Sequence, residues 1–326
     1  MNSNEVHLSA QHSNFDGLIE RVQSLVMAAK SKSTRKNYRS CLQDFELFCA
    51  SHQLPFLPST PETVAIYIAQ CSTRLSLSSI VLRLSAITAA HKAAGFAESP
   101  ASPHHFIVGE TLKGLRRTIG VATKGKAPLL AGDIRRPLAA CPNGLLGARD
   151  QALLLVGYAG AFRRSELAQI DLGRTTLYKD GILITFPTSK SDQEGEGSEV
   201  AIPRGLHTET CPLLALETWL DRARITSGPV FRGVDRHGRV SQHGLNSDSI
   251  ARILKRAARR AGFQTAEIAQ VAGHSLRAGY VTQALLTNKI PEAGIMLHVR
   301  QKSSATLRGY HRPPTFARDA GADLGL

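Results

Sequence analysis

The stretch GARDQALLLVGYAGAFRRSELAQIDLGRTTLYKDGILITF, residues 147–186, decides the fold of the larger part of this chain. Gly147–Tyr158 reads as an apolar helix, and a short helix follows near Ser165–Gln169. Thr176–Tyr178 and Gly181–Phe186 read as strands, and Lys179-Asp180-Gly181 between them supplies the residues of a tight hairpin turn. The expected domain is mostly helical with one small antiparallel sheet, not a large parallel one.

Toward the C-terminus, Glu199–Ile202 reads as a third short strand after a polar loop. Helices are expected near Pro212–Arg224, Ser247–Ala261, Arg277–Leu286 and Pro291–His298. Two prolines, Pro313 and Pro314, stop any helix that carries Tyr310, and a small, partly apolar tail ends the chain.

Toward the N-terminus, residues 119–131 are rich in Gly, Lys and small residues and read as a linker. Lys124 and Lys126 within it are placed to meet phosphates. Residues 15–118 are expected to form a small all-helical domain. Ser33 is the expected cap of a helix with Tyr38, Leu42, Phe45 and Phe48 at helical spacing. Ser59-Thr60-Pro61-Glu62 reads as a capping box, and Gly95 ends a helix over Ser78–Ala94. Residues 1–14 are expected to be disordered, and residues 132–326 form the second domain.

Lys and Arg total 40 against 26 acids, a net charge of +14. Such a surplus favours a polyanionic partner, because each neutralised phosphate releases counterions. No apolar run approaches the roughly 18 residues that cross a bilayer. The polar N-terminus carries no signal-peptide core, and the five scattered cysteines include no C-x-x-C pair. The expectation is a cytoplasmic, nucleoid-associated protein with neither disulfides nor a zinc site, and no membrane or small-molecule partner.

The helix over 247–261 is the most basic. Arg252, Lys255, Arg256, Arg259 and Arg260 form one stripe, and Ile250, Ile253, Leu254, Ala257 and Ala258 form the opposite face. A helix built this way can rest its back on a core and offer its charges to DNA. A merely solvated basic face has the same pattern.

Four segments carry the chemistry: Arg163-Arg164-Ser165-Glu166-Leu167, Lys190 after the strand ILITF, Gly273-His274-Ser275-Leu276-Arg277, and residues 302–310 ending in Tyr310. Taken singly each is weak; their order and spacing are specific. The set resembles the tyrosine recombinase (phage integrase) family, with a layout most similar to Cre-like recombinases, over about residues 30–315. The resemblance implies that Arg163 is the first catalytic arginine with Glu166 as its supporting acid, that Lys190 lies on the loop between strands two and three, and that His274 and Arg277 form the H-x-x-R segment. It makes Tyr310 the nucleophile. The chain departs from the family at Gln301, nine residues before Tyr310, where His or Trp is usual. An amide still donates a hydrogen bond to a phosphate oxygen; His298, one turn earlier, is an alternative donor.

The residue types suit phosphoryl transfer. Arg163 and Arg277 offer fixed, permanently charged forks to the non-bridging oxygens. A tyrosine hydroxyl ordinarily ionises only near about pH 10, so Tyr310 needs the arginines' field or a base. His274 is that base or a further phosphate donor, and by resemblance Lys190 is the general acid to the leaving 5′ oxygen. No carboxylate cluster suits two metals, so neither metal nor ATP is expected. By resemblance the N-terminal helices face DNA as half of a clamp, which nominates Thr34, Arg35, Lys36, Asn37 and Arg83, and the expected assembly is a homotetramer on two double-stranded sites. Three other readings stay open: a type IB topoisomerase, separable by its products on two-site DNA; a DNA-binding protein of this fold with weakened catalysis, marked by Gln301; and a metal nuclease, which EDTA would silence.

Overall fold

Ser31, not Ser33, starts the first helix. Its Oγ accepts the Thr34 amide at 3.1 Å and closes the N-terminus of α1 (Lys32–Ser51). The computed structural model describes residues 29–119, 128–187 and 197–310, together with Arg21 and Leu25. The chain divides into two compact units, Met1–Thr123 and Lys124–Leu326.

The first unit is helical throughout its described part. Thr60 caps α2 (Pro61–Cys71) by accepting the Thr63 amide at 3.2 Å. The residue in the box position is Thr63, so the reciprocal bond expected from Glu62 does not form. Ser76 caps α3 (Leu77–Ala93), and Gly95, at φ +86°, follows its end. The sequence reading missed α4 (Phe106–Ile119), whose pattern is interrupted by Gly109 and Gly114. Gly109 is there for space: a Cβ would sit 2.6 Å from the Pro103 carbonyl oxygen. Phe45, Tyr67, Ile68, Ile80, Ile87 and Val108 are fully enclosed in the core, each side chain contributing about 2 kcal/mol by leaving water.

The second unit is built around α6 (Leu145–Ala159), which follows α5 (Ala131–Ala139) and is buried along most of its length. A short helix, α7 (Arg164–Ala168), leads to strands β1 (Thr175–Tyr178), β2 (Gly181–Phe186) and β3 (Ser198–Pro203). They form an antiparallel sheet in the order β1-β2-β3, with Thr176 opposite Leu183 and Ile184 opposite Val200. α8 (Pro212–Arg222) buries Trp219, whose indole N–H donates to the Val230 carbonyl at 2.9 Å. A second sheet was not expected: β4 (Arg232–Val234) and β5 (Val240–Gly244) form a separate hairpin. β4 is three residues long and β5 carries Ser, Gln and His, so neither shows the alternation that marks a strand.

The basic helix is α9 (Ser247–Arg260), followed by α10 (Thr265–Gln270), α11 (Ser275–Thr287), α12 (Glu292–His298) and α13 (Ser304–Arg308). Val281, Ala284, Ile295, Val299 and Leu307 form a small apolar cluster against which Tyr310 packs, so the last three helices set where that ring lies. No helix among the described residues is long and apolar enough to cross a membrane.

Candidate active site

Arg163 follows a chain reversal made by Gly160 and Ala161. Ala161 is left-handed at φ +47°, and a Cβ on Gly160 would stand 2.2 Å from the Phe162 ring. The turn leaves Arg163 at the start of α7, where Glu166 in the first turn reaches back. One Glu166 oxygen accepts the Arg163 amide at 2.8 Å and the other its guanidinium at 2.6 Å. Burial would raise the Glu166 carboxyl, but the Arg300 guanidinium and the Arg163 amide and side chain together hold it below the usual carboxylate range.

α11 brings in the second arginine. Arg277 is 1% exposed, and its Nη1 donates to the Ala161 carbonyl at 3.0 Å, so both arginines hang on the same turn. Burial and the neighbouring Arg163 push its pKa down to about 10, so it stays charged at neutral pH. Its other terminal nitrogen points to Gln301 Oε1 at 3.5 Å. With the amide oxygen facing Arg277, the Gln301 –NH2 is left as a donor.

His274 precedes α11, and its Nε2 lies 2.7 Å from the Tyr310 hydroxyl. The residue is exposed to solvent. Partial desolvation of the imidazole, then Arg277 and Arg163, lower its pKa, so His274 is neutral at pH 7 and free to accept a proton. That both arginines act on His274, and that Arg163 and Tyr310 both act on Arg277, puts four of the expected residues in one electrostatic site.

His298 is committed elsewhere: its Nε2 donates to the Ala159 carbonyl at 2.7 Å and its ring stacks on Tyr280 at 4.8 Å. Lys190, Lys124, Lys126 and the tail over 311–326 lie outside the described residues.

The sequence reading missed Arg300. Its side chain is 8% exposed, donates to Glu166 at 2.6 Å, and lies over the Phe162 ring at 5.3 Å and the Phe186 ring at 5.9 Å. A cation directly before Gln301, between it and the helix ending at His298, was its one sequence signal.

The expected DNA contacts divide. Arg252, Lys255 and Arg259 are exposed on α9, and the five expected core residues of that helix are buried. Arg256 is drawn inward: its Nη2 stands 3.6 Å from Asp150, which is fully buried in α6 and also takes Arg260 at 3.4 Å and Arg149 at 2.6 Å. A charged stripe on a helical wheel does not show that a carboxylate on another helix has claimed part of it. On α1, Lys36 and Asn37 are exposed, while Thr34 and Arg35 are half-buried. Arg83, expected on the DNA face, is 15% exposed and donates to Asp44 and to the Tyr67 hydroxyl, both at 3.1 Å. Among the described residues, no group of three or more His, Cys, Asp or Glu side chains is placed to hold a metal ion.

The family model for the phage integrase family matches residues 129–313, more than half of the chain. The chain belongs to the phage integrase family, the tyrosine recombinases. This recombinase is 34% identical over 313 residues to an integrase/recombinase xerD homolog of Selenomonas ruminantium, spanning 95% of this chain and 90% of that one. Among solved structures it is similar to the Tn1549 transposon integrase in complex with transposon right end DNA, with a TM-score of 0.60 at 12% identity, over 92% and 96% of the two chains. It is also similar to XerH site-specific recombinase in a post-cleavage complex with its palindromic substrate (TM-score 0.58, 16% identity, 84% and 75% of the chains). A lambda integrase tetramer bound to a Holliday junction gives a TM-score of 0.52 at 15% identity, over 89% and 77% of the chains. At these identities the structural likeness shows the fold of the recombinase.

Proposed function

We propose that this site-specific recombinase cuts and rejoins duplex DNA through a 3′-phosphotyrosyl bond to Tyr310, with neither metal nor ATP. The observation that carries the reading is the 2.7 Å contact between Tyr310 and a neutral His274, beside two buried or half-buried arginines.

The Tyr310 oxygen attacks the scissile phosphorus as its proton passes to His274 Nε2. Arg163, Arg277 and the Gln301 amide hold the non-bridging oxygens, where charge builds up in the transition state. The bond from phosphorus to the 5′ oxygen breaks, and Lys190 protonates that oxygen. A 5′ hydroxyl from the partner strand then attacks the phosphotyrosyl bond and releases Tyr310. One phosphodiester replaces another, so no external energy is needed. Exposed Arg252, Lys255 and Arg259, together with Lys36, Asn37, Lys124 and Lys126, are proposed to meet the DNA backbone. The protein is proposed to be a monomer alone and a homotetramer on two sites, with residues 311–326 docking on a neighbour; deleting residues 315–326 should weaken synapsis more than single-site binding.

The test is incubation with a nicked suicide duplex carrying the DNA that flanks its own gene, with EDTA present, followed by mapping of the adduct. A covalent peptide containing Tyr310 supports the reading. An intact duplex, or a cut without an adduct, sinks it.

A further inference from the structure

Arg300 stands where a charged side chain is costly twice over. Its backbone is left-handed, at φ +53°, a conformation that favours glycine, and its side chain is almost wholly enclosed. What it gains is a junction between separate parts of the site. Nη2 binds the Glu166 oxygen that also receives the Arg163 amide. Its guanidinium lies over Phe162, the residue before Arg163, and over Phe186, the last residue of β2. In the chain it adjoins Gln301.

The charges give this junction a consequence. Arg163 and Glu166 alone make a neutral pair, so an approaching phosphate would meet a guanidinium already cancelled by its own support. Arg300 makes the trio two cations to one anion. It engages one carboxylate oxygen and leaves Arg163 with more of its field for a second anion. The residue beside it, Gln301, is uncharged, so at this edge of the site Arg300 adds a positive charge to that of Arg277.

We propose that Arg300 is a positioning residue for the recombinase reaction: by holding Glu166 it keeps Arg163 electropositive toward the scissile phosphate, and it offsets the missing charge at Gln301. This rests on the function proposed above, in which Arg163 and Gln301 hold that phosphate.

The experiment compares wild type with Arg300→Gly, Arg300→Lys and Arg300→Met in unfolding midpoint, affinity for the suicide duplex, and single-turnover rate of adduct formation at saturating DNA. Glycine suits the left-handed backbone, so Arg300→Gly is expected to fold and to bind DNA as wild type does. Its adduct rate is expected to fall by about ten-fold or more, a fraction of what losing a whole transition-state donor costs, because Arg163 is weakened and not removed. Arg300→Lys should recover part of the rate, and the penalty of Arg300→Gly should shrink when Gln301→His supplies a cation next door. An Arg300→Gly rate within about two-fold of wild type overturns the proposal. If that variant fails to fold, Lys and Met decide: equal rates for the two mean that Arg300 only fills space, and overturn it. Wild type that forms no adduct overturns the proposed function itself, and this inference with it; adduct in wild type with an indifferent residue 300 overturns this inference alone.

Discussion

The hydroxyl of Tyr310 and Nε2 of His274 are 2.7 Å apart, with their rings tilted at 33°, although the two residues stand 36 positions apart in the chain. In the proposed reaction the nucleophile therefore already touches its base before DNA arrives, and the phosphate has only to enter beside the two arginines. Tyr310→Phe removes the hydroxyl and keeps the ring that packs on the terminal helices. Gel shifts should show normal DNA binding, and denaturing gels no covalent complex.

The pH dependence follows from His274. Its pKa is lowered from the ordinary value, so the ring stays neutral, and competent as a base, to a pH below about 6.5. Adduct formation should hold from neutral pH down to that region and fall only below it, as the ring takes up a proton. A rate already falling between pH 8 and pH 7 would contradict the assignment of His274 as the base.

Gln301 and His298 have different surroundings and should behave differently. Gln301→Ala removes one phosphate donor and should slow cleavage by on the order of 10²-fold, whereas Gln301→His should keep or raise the rate. His298→Ala loses a hydrogen bond to Ala159 and a stack on Tyr280, a loss of about 2 kcal/mol in denaturant melts, with cleavage retained at low temperature.

On α9 the exposed and the inward-turned cations should separate. Replacing Arg252, Lys255 and Arg259 together with Ala should lower the slope of log affinity against log salt by up to about 2.7, if each meets one phosphate. Asp150→Ala leaves Arg149, Arg256 and Arg260 without their shared anion and should cost about 3 kcal/mol or more of stability in urea titrations.

Lys190→Ala should lose cleavage of ordinary DNA and regain it on a substrate with sulfur in place of the leaving 5′ oxygen, because a thiolate departs without a proton. Equal loss on both substrates would assign Lys190 to binding.

The sequence by itself determined what short-range periodicity encodes. The buried helix of α6, the β1-β2 hairpin and the apolar back of α9 repeat at intervals that one element fixes alone, and the candidate catalytic segments stand in an order and spacing that survive without coordinates. The tertiary structure decided which charge meets which. Arg300 finds Glu166 across 134 residues, Arg260 finds Asp150 across 110, and His298 finds Ala159 across 139. Arg83, at the right spacing for a DNA contact, is claimed by Asp44 from another helix. Periodicity says which face of a helix is polar. The partner of a long flexible cation is set by which elements pack beside it, and that information belongs to the fold as a whole.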